Sequence, residues 1–278
     1  MRDQENQTVD SSVYDKEYFE ATDGADYFQA NQTAPKFLKA VRLSNLREGD
    51  RVLDLGCGRG DLALALAEAG ADVVGIDYAA GAVEIAKKAL DQRPKQGQKN
   101  IKLLRSDATR LGFSGQTFNC VFMMDIAEHL YPDQLRRTFL ECHRVLQTGG
   151  RLIVHTSPNR WYNDIGYPLW ERPINKFLNK FFGQNLLTRP IRNEMDLKVH
   201  VNEHTVVSLK KYFVTAGFQP KIWLGSEYVL PVKKDSAVMQ VMEVCRQVVC
   251  HAFPVSLVPP LNYMFSNNIW AIGKKRAD

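Results

Sequence analysis

The chain is short of the features that mark secreted, membrane-spanning and nucleic-acid-coating proteins. None of its five cysteines, Cys57, Cys120, Cys142, Cys245 and Cys250, belongs to a Cys-x-x-Cys pair, and their number is odd. Neither a disulfide framework nor a zinc ribbon is expected, and a reducing, cytoplasmic setting fits best. No apolar run is clean enough to span a bilayer: Val248 to Phe265 comes nearest but is broken by His251, Asn262, Pro254, Pro259 and Pro260. Whether that segment packs on the core, on a second subunit or peripherally on a membrane is open from sequence, as is the oligomeric state. The first residues include Asp3, Glu5, Asp10 and Asp15 where a signal peptide needs positive charge and then an apolar stretch, so secretion is not expected. Basic residues exceed acidic ones only slightly, 36 to 31, for a formal charge of +5. Affinity built on many phosphate contacts needs a denser basic stripe, so nucleic acid is not the expected partner.

What remains is an ordinary globular composition, with 45% hydrophobic residues over 278 positions, enough for one decorated domain. From Val52 onward, short β-rich runs alternate with helical patterns. Val52 to Asp54, Asp72 to Asp77, Ile101 to Arg105, Phe118 to Met124 and Leu152 to Thr156 are predicted strands. Between them Leu62 to Leu66, then Val83, Ala86 and Leu90, then Leu135, Phe139, Cys142 and Leu146 mark helices whose apolar stripes face a core. This alternation predicts right-handed βαβ units in an α/β fold, a doubly wound, mostly parallel sheet covered on both faces. Asn159 to Lys198 breaks the rhythm with Trp161, Tyr162, Tyr167, Trp170, Phe177, Phe181 and Phe182, an aromatic insertion after the fifth strand that is suited to cap a pocket. Beyond it, Val206, Leu209, Phe213 and Ala216 predict a helix ending at Gly217, followed by strands at Lys221 to Leu224 and Asn268 to Ile272.

The chemistry concentrates where predicted strands end. Asp54-Leu55-Gly56-Cys57-Gly58-Arg59-Gly60 follows the first strand and opens a helix. Glycines there let the backbone turn sharply and approach a ligand, while the helix start offers free N–H groups. Asp77 ends the next strand about twenty residues on, where a carboxylate can accept both hydroxyls of a ribose. Asp107 and Ala108 close the third strand, placed for an adenine amino group. All three converge at the carboxyl edge of one sheet, where open α/β folds bind ligands. Nicotinamide dinucleotide sites use similar parts, but Gly56, Gly58 and Gly60 read GxGxG rather than GxGxxG.

On these residues the chain resembles the class I S-adenosylmethionine-dependent methyltransferases from Arg51 through the final strand, and within them the small-molecule, ubiquinone-pathway O-methyltransferase group. The resemblance implies S-adenosylmethionine as cofactor. It places the amino-acid portion at Asp54, the glycine loop at Gly56, Cys57, Gly58 and Gly60, the ribose at Asp77, and the adenine at Asp107 and Ala108 with Tyr78 beside the ring. It implies a seven-stranded sheet with a reversed final strand, which the pair around Trp223 and Trp270 would supply. It also implies an N-terminal lid, for which Tyr14, Tyr18, Phe19, Tyr27 and Phe28 are candidates. The expected organisation is 1–45 lid and docking helix, 46–157 cofactor-binding core, 158–200 substrate cap, and 201–278 the rest of the core with the final hairpin. Cys57 reads as a small packing residue rather than a nucleophile.

Met124-Asp125-Ile126-Ala127-Glu128-His129 ends the fourth strand, on the loop that in this family faces the methyl donor. His129 is a candidate general base for an acceptor hydroxyl, with Glu128 and Asp125 beside it; the alternative is that Glu128 and His129 only pin the loop. Asp125, Glu128 and His129 with His200 or His204 also have ligand types suited to a divalent metal. That pattern is partly similar to small-RNA 2′-O-methyltransferases, from which it departs in having Asp125 for the first glutamate and no evident basic surface; a metal is the lesser expectation. Trp161, Tyr162, Trp170 and His200 are expected to meet the substrate, and Arg160, Arg172, Arg189 and Arg192 to clamp an anion or stand in solvent. The resulting expectation is O-methylation of a small or medium-sized acceptor, such as a phenol, a glycosyl unit or a lipid-linked intermediate. A metal-dependent RNA methyltransferase and a cofactor-binding protein without turnover are the alternatives.

Overall fold

The computed structural model describes residues 7–21, 24–30, 32–92, 100–183, 185–189, 192, 194–225 and 266–276. Seven strands form one sheet: β1 Arg51–Leu55, β2 Asp72–Asp77, β3 Ile101–Arg105, β4 Phe118–Met124, β5 Leu146–Thr156, β6 Phe218–Leu224 and β7 Ile269–Lys275. Their order is β3-β2-β1-β4-β5-β7-β6. The first five run parallel, whereas β7 is antiparallel to both β5 and β6 and pairs Trp223 with Trp270. The central strands are apolar on both faces, as a parallel sheet covered twice requires. Alternation along β1 and β4 sends Leu53, Val121 and Met123 to one layer with Phe139 and Phe213, and Val52, Phe122 and Met124 to the other with Leu66 and Trp270.

Nine α-helices lie among the described residues: α1 Lys16–Ala21, α2 Ala25–Gln29, α3 Pro35–Ser44, α4 Asp61–Glu68, α5 Ala80–Asp91, α6 Pro132–Val145, α7 Arg172–Phe182, α8 Glu194–Val199 and α9 Val206–Thr215. The ends are written in the sequence. Pro132 starts α6, where its missing N–H costs nothing, and Thr205 caps α9 by accepting from Ser208 N at 3.0 Å. Strand β5 begins at Leu146, six residues before the predicted start, because Leu146 already pairs with Phe118 ahead of an irregularity after which the register resumes at Arg151 opposite Cys120. The insertion is a π-helix, Tyr162–Glu171, with Pro168 inside it, running directly into α7. The segment Val248 to Phe265, with Cys245 and Cys250, lies outside the described residues, and no described helix is long and apolar enough to cross a membrane.

The strand order reverses between β1 and β4, so the loops after these two strands diverge and leave a crevice at the carboxyl edge. That crevice positions the site.

Candidate active site

A cavity of about 450 Å³ fills the crevice, in the size range of small-molecule sites. Its floor is Gly56 and Gly58 after β1; one wall is Asp77 and Tyr78 after β2 with Ser106, Asp107 and Ala108 after β3; the opposite wall is Asp125, Ile126 and His129 after β4. Thr8, Val9, Tyr14, Tyr18 and Phe19 from the N-terminal segment complete it. The glycine loop is wedged tightly. Gly56 has φ +68°, and a Cβ there would lie 2.9 Å from Ile126 Cδ1; at Gly58 it would lie 3.2 Å from Phe19 Cε1. Gly60, in the left-handed region, caps α4 against Ala86 behind the cavity.

The carboxylates are held from behind. Gly58 N donates to Asp77 Oδ2 at 3.1 Å and Ala79 N to Oδ1 at 2.9 Å, leaving lone pairs for a ligand. Burial nonetheless raises the Asp77 pKa. Asp107 accepts from Thr109 N and Thr109 Oγ1, both at 2.8 Å. Tyr78 donates to Val9 O at 2.9 Å, tying the β2 loop to the N-terminal segment. Asp54 is only 2% exposed, and its Oδ2 has no hydrogen-bond partner among the described residues. Burial, then the charges of Asp77 and Asp61, pushes it up to about 7. A buried carboxylate oxygen without a donor fits a site built to receive a cation such as an α-ammonium group. Asp54, Cys57 and Met124 do not line the cavity; Asp54 lies buried near the end of β1, separated only by Leu55 from Gly56, which does. Cys57 packs with Leu103 and Val83, its thiol pushed well up by burial, and Met124 belongs to the layer with Phe122 and Trp270.

The loop after β4 is locked by contacts that no local pattern announces. Asp125 adopts φ +53°, a strained conformation for a residue with a Cβ. Its Oδ1 lies 2.5 Å from His155 Nδ1 on β5, and Oδ2 accepts from Lys36 Nζ of α3 at 2.8 Å. Burial works to raise the Asp125 pKa, but His155 and then Lys36 outweigh it and hold the carboxyl well below its usual range. Glu128 accepts from Thr156 Oγ1 at 2.8 Å; burial, then Asp125, pushes it up to about 8. His129 Nδ1 lies 2.8 Å from the Tyr14 hydroxyl. Burial, then His200, lowers the imidazole to about 3, so the ring is neutral near pH 7. With Nδ1 as the donor to Tyr14, Nε2 keeps its lone pair for a proton.

Of the five candidate metal ligands, Glu128, His129 and His200 come together, with one ligand atom of each within 4.8 Å of the others. Asp125 is committed to Lys36 and His155, and His204 bonds Ala127 O at 3.3 Å behind the loop. His200 stacks edge-on to His129 with centroids 5.0 Å apart, and its Nδ1 is buried without a partner among the described residues. No described residue of 158–200 lines the cavity. Tyr162 is buried and donates to Glu171 at 2.5 Å, Trp161 is half-buried, and the Trp170 side chain lies outside the described residues. Arg192 pairs with Glu203 and Asp164, Arg160 with Asp164, and Arg172 donates to Thr188 O, while Arg189 is exposed. Sequence reasoning missed Lys36 and His155. A histidine among Leu152, Ile153 and Val154 of a buried strand was the available signal for the second.

Part of the chain is similar to known proteins. A family model described as a methyltransferase domain matches residues 52–150. A ubiquinone biosynthesis O-methyltransferase of Coxiella burnetii is 34% identical over 122 residues, 44% of this chain and 50% of that protein. A demethylmenaquinone methyltransferase of Clavibacter sepedonicus is 29% identical over 148 residues, 52% of this chain and 58% of that protein. The chain thus spans about half the length of the curated relatives it matches. A solved S-adenosylmethionine-dependent methyltransferase from Methanosarcina mazei superposes with a TM-score of 0.55 at 19% identity, covering 86% of this chain and 98% of that one, which supports the fold. The strand order, the GxGxG loop and the matched segment 52–150 together make this chain similar in fold and cofactor-loop pattern to the class I S-adenosylmethionine-dependent methyltransferases.

Proposed function

We propose that the protein transfers a methyl group from S-adenosylmethionine to an oxygen of a small or medium-sized, ring-bearing acceptor, of which a quinol or related phenol is the leading class. The observation that carries this reading is the single cavity in which the glycine loop, Asp77, Asp107 and His129 meet under Tyr14 and Tyr18. Asp54 would take the ammonium group of the cofactor, Asp77 its ribose hydroxyls, and Asp107 with Ala108 its adenine. When bound, the cofactor supplies a sulfonium-activated methyl group open to in-line attack. Tyr14 and Tyr18 exclude water from above, and alignment of the attacking oxygen removes much of the barrier. His129 Nε2 accepts the hydroxyl proton, while the Asp125–Lys36–His155 contacts keep the loop in place. The acceptor class follows from the apolar wall of Ile126 and Leu130 beside His129 and from the names of the two curated relatives.

The test is transfer of an isotopically labelled methyl from S-adenosylmethionine to a panel of catechols, quinols and hydroxylated prenyl-aromatics, read by mass spectrometry. A labelled ether on at least one ring acceptor is expected. Cofactor binding with label appearing only on RNA, and only with magnesium, would replace this reading by the one that the Glu128–His129–His200 group favours.

A further inference from the structure

Helix α7 carries buried Leu178 and Asn175 with half-buried Asn179 on its inner side: Asn175 donates to Leu187 O at 2.9 Å, and Asn179 donates to Leu186 O at 2.8 Å while accepting from Leu186 N at 2.7 Å. Its outer side is apolar, with Phe177 54% and Phe181 62% exposed and their rings 4.7 Å apart. The preceding π-helix continues the same stripe. Ile165, Leu169, Pro173, Phe177 and Phe181 recur every fourth residue, and all are exposed, Leu169 at 74%. Residues four apart on a helix lie above one another, so these five make one ridge. Hydrogen bonds on the inner side fix the ridge outward.

The charges beside the ridge are of one sign. Lys176 and Lys180 are exposed next to the two phenylalanines, and Arg172–Phe182 contains no acidic residue. The nearby acids are engaged elsewhere: Asp164 pairs with Arg160 and Arg192, and Glu171 accepts from Tyr162. A second copy of this face would set lysine against lysine, so self-association is disfavoured electrostatically. An aromatic ridge flanked by lysines matches the interface of an anionic bilayer, where rings enter the headgroup boundary and ammonium groups meet phosphates.

We propose that the Ile165–Phe181 ridge is a docking surface for anionic phospholipid membranes. Docking there would let the protein take acceptors that partition into lipid, and the surface stands whether or not the acceptor is a quinol. The test is flotation of the full chain with phosphatidylcholine vesicles, with and without phosphatidylglycerol, at low and high salt. Binding is expected on the phosphatidylglycerol vesicles, weakened by salt. It should fall at least about tenfold in both Phe177→Ser/Phe181→Ser and Lys176→Glu/Lys180→Glu, with melting midpoint and S-adenosylhomocysteine affinity unchanged. Failure of the wild type to float overturns the proposal, as does equal, salt-insensitive binding to neutral vesicles or binding that survives both double variants. A serine variant that melts earlier while the wild type ignores lipid would instead assign the ridge to cover by residues 226–265 of the same chain. Loss of concentration-dependent dimers, again without lipid binding, would assign it to a second copy. Because cofactor affinity is read separately, none of these outcomes bears on the methyltransferase reading.

Discussion

Replacing Asp54 with asparagine should strengthen the cofactor-free fold and weaken cofactor binding at once. Asp54 is 2% exposed and titrates at about 7 in the folded chain, against roughly 3.9 for an unperturbed aspartate. At pH 8 that gap is worth at most ~4 kcal/mol against folding, since the charge must be held in a buried site. An asparagine removes the charge but orphans an N–H in place of Oδ2, at a cost of about 1–3 kcal/mol. A net gain of about 1–3 kcal/mol is therefore expected, seen as a higher melting midpoint of the cofactor-free variant at pH 8. The sign follows from linkage. The unfolded chain sheds this proton near pH 4 and the folded chain only near 7, so the wild-type contribution becomes less favourable as pH rises from about 4 to about 7 and is level above. Binding runs the other way. An ammonium group needs the carboxylate ionised, so affinity for S-adenosylhomocysteine should rise up to about tenfold per pH unit below 7 and flatten above it. In Asp54→Asn the affinity should be flat with pH and, at pH 8, lower by about ten- to a hundredfold, the worth of a charge-assisted hydrogen bond. Calorimetric titration from pH 5.5 to 8.5 reads this. A variant that melts earlier and binds as tightly as the wild type would refute the reasoning.

Other substitutions separate the remaining roles. Asp77→Ala should weaken S-adenosylhomocysteine binding by ~1–3 kcal/mol in a protein that still melts cooperatively; unchanged affinity would remove Asp77 from the ribose site. His129→Asn should lower kcat by about 10²- to 10⁴-fold with cofactor affinity within a few fold, the signature of lost proton transfer, whereas an unchanged kcat leaves alignment alone in charge. Lys36→Met removes a partner of Asp125 and should cost about 1–3 kcal/mol in thermal unfolding at pH 7, shrinking toward low pH as Asp125 protonates in both proteins. Chelation by EDTA should leave S-adenosylhomocysteine affinity unchanged, because Asp54, Asp77 and Asp107 lie outside the Glu128–His129–His200 group; a fall in affinity would contradict that separation.

The strands were legible because each is a short apolar run bounded by a turn or a helix start, and β2, β3 and β4 match their expected limits residue for residue. The cofactor loop was legible for a similar reason: GxGxG and the carboxylate after β2 are local patterns with fixed spacing. The Lys36–Asp125–His155 contacts were not, since they join residues 89 and 30 positions apart on three elements. Nor did the pattern give the direction of the insertion. The aromatic residues suggested a cap, but periodicity reports that a helix has two faces without saying which points inward. At α7 the hydrogen bonds of Asn175 and Asn179 decide it, and Phe177 and Phe181 face out.

The central claim is that the crevice between the β1 and β4 loops holds S-adenosylmethionine. Its most direct test is calorimetric titration of the cofactor-free protein with S-adenosylhomocysteine, alongside Asp77→Ala. Saturable one-to-one binding that weakens in the variant is the predicted result; absence of binding by the folded wild type, or equal binding by both proteins, would contradict the account.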